Sequence, residues 1–334
     1  MTQRASFPSD ASLIKWVDRF NDVPVLVVGD LMVDRSYRGP AERISPEAPV
    51  PVIHVQESHF TAGGAGNVVN NLAVLGARPT LVSVRGNDLT GKEIEKELSK
   101  RVNVSCVFID KGRPTITKHR VFAGHQQVAR FDFEERGAIS RAICAKILAG
   151  LEKLIPLQKA VVISDYGKGM VTPDVIKACL RAARRHRIPV IVDPKIEHFM
   201  QYKGVDCITP NTKEAVEGMR ALPPKSESEL LQIGKKILSR LNSRSLLITR
   251  GEKGMTLFQA GKGPRTIPAM AQAVYDVTGA GDTVVSTFSI ARAVGAPHFD
   301  AARLANVAAS LVVAKVGTAV VTRHELADRL KRAR

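Results

Sequence analysis

Three small residues, Gly279, Ala280 and Gly281, stand directly before Asp282 in residues 275–286, YDVTGAGDTVVS. They fall at the predicted start of a helix over 281–294. The first N–H groups of a helix have no partner within it, and the helix dipole makes that end positive. With side chains minimal or missing, a phosphate can approach those groups closely. An aspartate beside such an anion hole repels the anion it should help to hold. The pairing makes sense when a hydroxyl lies between them. Its proton then goes to Asp282 while its oxygen attacks phosphorus, and the backbone N–H groups stabilise charge on the moving phosphoryl group. The plainer alternative is a first-turn acid that complements the helix dipole; the glycines weigh against it.

A second glycine run, TAGGAGN at 61–67, precedes a predicted helix over 66–75. Gly63 and Gly64 allow a tight turn or close approach of a ligand. The Asn67 amide could bond sugar hydroxyls, or only cap the helix. Gly-Lys-Ser/Thr is absent, so this is no P-loop, and no spaced G-x-G-x-x-G marks a dinucleotide site. At 29–34 the run GDLMVD ends the first predicted strand. Ligands of open α/β sheets sit beyond the carboxyl ends of strands, which makes Asp30 and Asp34 candidate acceptors for sugar hydroxyls, with turn chemistry as the alternative. Four more strand ends carry polar residues: SDYGKG (164–169), DPK (193–195), TPNTKE (209–214) and TRGEKG (249–254). They should gather along the same rim. Asp165 and Lys168 are then near the substrate, and Lys195, Asn211, Thr212, Lys213, Glu214, Thr249, Arg250, Gly251 and Gly254 near a nucleotide and its magnesium. Mg²⁺ prefers oxygen ligands and keeps waters, so Asn211 and Glu214 are read as acting through water.

These runs must be placed by a frame, and the chain supplies one. Strand-like and helical stretches alternate: strands at 23–30, 79–86, 104–110, 160–165, 189–193, 207–209 and 245–250, helices at 66–75, 90–101, 172–187, 227–241, 281–294 and 300–316. This predicts a mostly parallel sheet with helices on both faces. Residues 49–57 and 115–134 break the rhythm. They read as strands without helices, the second folding back at Ala123 and Gly124. A small antiparallel sheet that covers a cleft, or pairs with its copy, is expected there. Extension of the main sheet's edge is the alternative.

Composition narrows the class. The 334 residues are 44% hydrophobic and 24% charged, as in globular proteins. No apolar stretch is long enough for a membrane span, and the N-terminus lacks a secretory pattern, so a cytoplasmic location is expected. The 4 cysteines lie far apart, against a disulfide framework or zinc site. The net charge is +17. Its clusters, at Arg181, Arg184, Arg185 and Arg187 and again over 323–334, lack interleaved aromatics, so no nucleic-acid partner is expected. A positive field also suits anionic substrates.

AGGAGN (62–67) and DVTGAGD (276–282) resemble the two signatures of the ribokinase/PfkB carbohydrate kinases, in the expected order; N-x-x-E (211–214) and T-R-G-x-x-G (249–254) fit the same family. The likeness runs from about residue 24 to 322. It implies a ribokinase-like three-layer α/β/α domain over 23–322 with a mostly parallel central sheet. A small β-sheet lid drawn from about 36–57 and 114–134 would form a homodimer contact. Residues 1–22 would be an N-terminal extension and 323–334 a basic tail. The resemblance also implies ATP and Mg²⁺, with Asp282 as base, Gly279 to Gly281 as anion hole, and Asp34, Gly64 and Asn67 as substrate contacts. Whether a monovalent cation sits near Asp276 stays open.

Residues 42–55 (ERISPEAPVPVIHV), 114–121 (PTITKHRV), 126–135 (QQVARFDFEE) and SDYGKG are similar to the kinase domain of bacterial heptose-phosphate kinases. That family phosphorylates D-glycero-D-manno-heptose 7-phosphate at its anomeric carbon, on the route to ADP-heptose and lipopolysaccharide core. A phosphorylated sugar needs cations, and Arg43, Arg85, Lys118, Arg120, Arg130 and Lys168 are the candidates. Kinases of the same family acting on fructose phosphate, tagatose phosphate, ribose or a nucleoside are alternatives, as is a non-catalytic binding regulator. Some relatives carry a fused nucleotidyltransferase with an H-x-G-H motif. None is visible here, so a separate nucleotidyltransferase is expected to act next.

Overall fold

The computed structural model describes residues 10–135, 137–270, 274–315, 317 and 319–332. The first nine residues of the expected N-terminal extension, Val316 at the expected end of the last core helix, and the final two residues of the tail lie outside the described residues.

One sheet of nine strands forms the centre. Its parallel part comprises β1 (Pro24–Gly29), β6 (Arg78–Arg85), β7 (Asn103–Ile109), β10 (Ala160–Ser164), β11 (Val190–Asp193), β12 (Cys207–Ile208) and β13 (Ser245–Thr249); β14 (Met255–Gln259) and β15 (Arg265–Ile267) add antiparallel at one edge. The order is β15-β14-β13-β12-β11-β10-β1-β6-β7. Successive strand side chains point to opposite faces. Val25 and Val27 therefore join one apolar core, and Leu26 and Val28 the other. Burial on both faces explains why these strands read as near-continuous apolar runs.

The first core is closed by α1 (Ile14–Val17), α2 (Ala65–Val74), α3 (Leu89–Leu98), α8 (Ala280–Ala293), α9 (His298–Val312) and α10 (Arg323–Arg332). The second is closed by α4 (Arg141–Leu154), α5 (Pro173–His186), α6 (Thr212–Gly218) and α7 (Glu227–Leu241). Three layers result. Helix α5 shows the local code: the Thr172 hydroxyl accepts from Val175 N, Pro173 follows, and Arg187 stops the helix in a left-handed turn. No helix among the described residues is long and apolar enough to cross a membrane.

The other strands form a separate sheet, not an edge extension. It is ordered β5 (Glu57–Gly64), β2 (Leu31–Gly39), β8 (Thr117–Ala123), β9 (Gln126–Phe133), with β3 (Ala41–Ile44) and β4 (Pro51–Ile53) paired beside it. Two expectations need correction. The lid sheet is mixed, because β2 and β8 pair parallel. Both leave the same rim of the core, β2 after β1 and β8 after β7, so they run the same way. Residues Thr61 to Gly64 are not a turn but the end of β5, paired with β2 and running straight into α2.

Candidate active site

Helix α8 begins behind Gly279, whose φ of 79° suits glycine. Asp282, in the first turn, is buried, with 6% of its surface exposed. Its Oδ2 accepts from Asn67 Nδ2 at 2.7 Å, and its Oδ1 from the Tyr166 hydroxyl at 2.9 Å. Asn67 is itself fixed, since Asn71 Nδ2 donates to its side-chain oxygen at 3.1 Å and Thr283 Oγ1 donates on to Asn71. A polar chain thus ties α2 to α8. Burial pushes the Asp282 carboxyl up to about 6, against the pull of the Asn67 and Tyr166 bonds; the Asp34 charge adds to the rise and Lys118 opposes it. Each carboxylate oxygen has two lone pairs, so one remains on each for an incoming hydroxyl. Beside it Gly281 is exposed, and a Cβ added there would meet no atom within 4 Å. The glycine is not required by packing, which leaves open space over the helix N-terminus.

Several expected ligand contacts turn inward instead. Asp30, 1% exposed, accepts from the backbone N–H of Tyr166 (2.9 Å), Lys168 (3.2 Å) and Met170 (3.0 Å). The loop after β10 closes over it, so it shapes the site without facing a substrate. Asp165 accepts from Gly167 N at 2.9 Å and from the Tyr202 hydroxyl at 2.6 Å, with His198 Nδ1 2.9 Å away. Arg85 is buried against Glu95 of α3 and donates to the Gly86 carbonyl. Gly63 and Gly64 have packing reasons: a Cβ would lie 2.5 Å from Asp34 Oδ2 at the first and 2.5 Å from the Asp30 carbonyl at the second. Asn67 lies inside α2, capped by Gly64, so it is not the N-cap; it holds the Asp282 carboxylate. A carboxylate at a strand end reads alike in sequence whether it faces a ligand or its own backbone.

On one side of Gly281 lies a cleft of about 490 Å³ with Thr249, Gly251, Gly254, Met270, Val284 and Val313 in its wall. Its apolar lining and its contact with the α8 N-terminus fit a nucleotide. Asn211 and Glu214 form a capping box at the start of α6, each side chain accepting from the other's backbone N–H. Thr212 Oγ1 donates to the Thr249 carbonyl at 3.3 Å. Glu214 Oε1 is left 4.0 Å from Lys195 Nζ, and burial raises this carboxyl. Asp193, at the end of β11, is raised well above the usual carboxylate range by burial and then by the charges of Asp282 and Glu214. Arg250 and Lys213 have partners of their own: Arg250 donates to Glu227 and Thr256, and Lys213 pairs with Glu217 on the exposed side of α6.

On the other side, lid and core enclose about 560 Å³ bordered by Asp34, Arg35, Arg38, His59, Arg120 and Asp276. Arg120 pairs with Asp34, Lys168 with Glu134 and Arg130 with Asp132, while Arg43 is exposed on β3. Burial, then neighbouring Arg130, Lys168 and Arg120, lower the Lys118 ammonium, against the pull of Asp34. Asp276 accepts from Thr278 N (2.9 Å) and Gly317 N (3.0 Å) and so fastens the glycine loop. Sequence reasoning missed Tyr166 and Asp193. Both lie in runs it singled out, SDYGKG and DPK, and a side chain's direction from a loop is not written in such a run.

A model described as pfkB family carbohydrate kinase matches residues 24–324. The bifunctional protein HldE of Geobacter metallireducens is 44% identical over 306 residues, covering 91% of this chain and 62% of that protein. The bifunctional protein HldE of Paramagnetospirillum magneticum is 41% identical over 323 residues, covering 96% and 66%. The chain thus spans under two thirds of the length of these curated relatives. Among solved structures, Arabidopsis thaliana ribokinase complexed with ribose and ATP superposes with a TM-score of 0.74 at 22% identity, covering 93% of this chain and 99% of that one. Phosphofructokinase-2 from Escherichia coli in complex with potassium gives 0.76 at 18%, covering 94% and 99%. These show the fold: ribokinase-like α/β, as the motif resemblance implies, with the mostly parallel sheet and flanking helices that the strand and helix order predicts.

Proposed function

Because this chain belongs to the pfkB family of carbohydrate kinases, we propose that it phosphorylates D-glycero-D-manno-heptose 7-phosphate at the C1 hydroxyl, using ATP. The observation that carries this reading is Asp282, held by Asn67 and Tyr166 beside the open N-terminus of α8. The hydroxyl proton passes to Asp282, the C1 oxygen bonds to the γ-phosphorus, and the bond to the ADP oxygen breaks. The N–H groups behind Gly279 stabilise charge on the phosphoryl group in flight. An anomeric hydroxyl is more acidic than an ordinary alcohol, which suits a carboxylate base.

The heptose assignment is supported by the motif similarity described above, by 41% and 44% identity to proteins named HldE, and by cations along the lid side. The product, heptose 1,7-bisphosphate, belongs to ADP-heptose and lipopolysaccharide core synthesis, where a nucleotidyltransferase acts downstream. The need for ATP supports a cytoplasmic location for the reaction.

The nucleotide side fits magnesium. After burial, the charges of Asp282 and Glu214 raise Asp193 further, and a hard cation would relieve that repulsion. Among the described residues no group of three metal-binding side chains encloses an ion. Glu214, with Asn211 at its cap, and Asp193 would therefore hold Mg²⁺ through water and the donor's phosphates. Bound there, it neutralises charge on those phosphates.

The test is a panel of acceptors assayed for ADP release: heptose 7-phosphate, heptose, fructose 6-phosphate, tagatose 6-phosphate, ribose and adenosine, with phosphorus NMR of the product. Heptose 7-phosphate should turn over fastest and acquire an anomeric phosphate. Strong turnover of an unphosphorylated sugar, with none of the heptose phosphate, overturns the substrate. Asp282→Asn should cut turnover by at least about a hundredfold while ATP still binds; unchanged turnover rules out the base.

A further inference from the structure

We propose that Tyr166 is a positioning residue: its hydroxyl, with the Asn67 amide, locks the Asp282 carboxylate in one orientation, and Asp30 fastens the loop that presents it. The inference rests on the reading of Asp282 as the base.

The two donors reach Asp282 from opposite parts of the chain. Asn67 comes from α2 and bonds Oδ2; Tyr166 comes from the loop between β10 and α5 and bonds Oδ1. A carboxylate bonded on separate oxygens cannot turn about its Cβ–Cγ bond without losing one of them. Its remaining lone pairs then point in a fixed direction, and base catalysis depends on that aim. Tyr166 is held in turn. Its backbone N–H bonds Asp30 Oδ2 at 2.9 Å, the next turn of the loop places Lys168 N and Met170 N on the same carboxylate, and Gly167 takes a φ of 64° with its N–H on Asp165. Buried Asp30 and Asp165, both bonded to the backbone of this loop, thereby acquire a purpose: they build the mount for one phenol.

That phenol stays protonated. Burial, then the charges of Asp282 and Asp193, hold it well above its ordinary value, so it donates to Asp282 throughout the working range. The charged groups facing Asp282 are Asp34 from β2 and Lys118 from β8, with Asp193 at the end of β11 and Glu214 behind it. Lys118 also lies 5.7 Å from the Tyr166 ring centre. A donor to the carboxylate favours its charged form, and deleting it favours the protonated form.

The experiment follows Asp282 directly, without substrate, in protein labelled with ¹³C at the aspartate carboxyl, using Asp282→Asn to assign its resonance. In wild type it should titrate near pH 6. In Tyr166→Phe the midpoint should rise by about half to one pH unit. With heptose 7-phosphate and ATP as probes, the acid limb of kcat/KM should move with it and plateau kcat fall about tenfold, the KM for ATP being unchanged. Loss of structure alone exposes the carboxyl and moves its midpoint down toward 3.8, the opposite direction. A folded Tyr166→Phe protein with an unmoved midpoint overturns the inference. If that variant does not fold, 3-fluorotyrosine at position 166 keeps the hydroxyl and makes it a stronger donor. The midpoint should then fall, and no change again overturns the inference. Full turnover by Asp282→Asn is a different failure, that of the base itself.

Discussion

Asp282 carries a conflict between burial and charge that turnover and stability should both register. As the proposed base, Asp282 must be ionised to accept a proton, and burial pushes its carboxyl up to about 6. We expect kcat/KM to hold at neutral pH and to fall about tenfold per pH unit below about 6. For stability the sign runs the other way. A folded-state value above the unfolded 3.8 means the folded protein holds this proton more tightly. Its contribution is therefore fully present below about 3.8 and is lost as pH rises through about 6. Ionised at pH 7, the carboxylate costs up to about 3 kcal/mol. Asp282→Asn should accordingly unfold at a higher temperature than wild type at pH 7, by calorimetry, and the gap should close toward pH 4. What could be read from sequence at this scale was the contiguous part: Asp282 with its glycines lies within four residues. Tyr166 reaches the same carboxylate from more than a hundred residues away, and Asp30 looked like a ligand because nothing in its neighbourhood of sequence reveals the loop that closes over it.

At the scale of elements, two glycines that look alike in sequence should behave oppositely. Gly281 opens onto empty space and has no strained backbone. Gly281→Val should leave the melting temperature within a few degrees while the KM for ATP rises at least about tenfold, because the new side chain occupies the phosphate approach. Gly64 has a φ of 55°, and a Cβ there meets the Asp30 carbonyl. Gly64→Ala should cost on the order of 2–4 kcal/mol in urea unfolding, whatever it does to binding. Periodicity revealed strands and helices well where both faces are buried. It did not reveal that β2 and β8 run parallel, because direction in a sheet is set by where the chain leaves the core, not by the side chains along it.

For the whole molecule, the far edge of the lid sets the next expectation. Strand β9 is exposed along its length and shows Val128, Phe131 and Phe133, with Phe131 stacked 4.6 Å from His119. An exposed edge of this kind invites pairing. Sedimentation should give twice the chain mass, and Phe131→Lys with Phe133→Lys should give the single chain. The sequence disclosed a lid through strand-like runs that no helix interrupts, but not which surface it would meet.

The lid is tied to the core where its strands leave it. The chain leaves at Asp30 and returns at Ala65, two residues linked by the bond from Ala65 N to the Asp30 carbonyl, and β8 is stitched to the same strand where Val33 N meets the Ile116 carbonyl. Were such a flap to move, these bonds would set its axis, beside the loop that presents Tyr166. Guests would then have to arrive before it shuts, and the first thing a jammed hinge would alter is their order of entry.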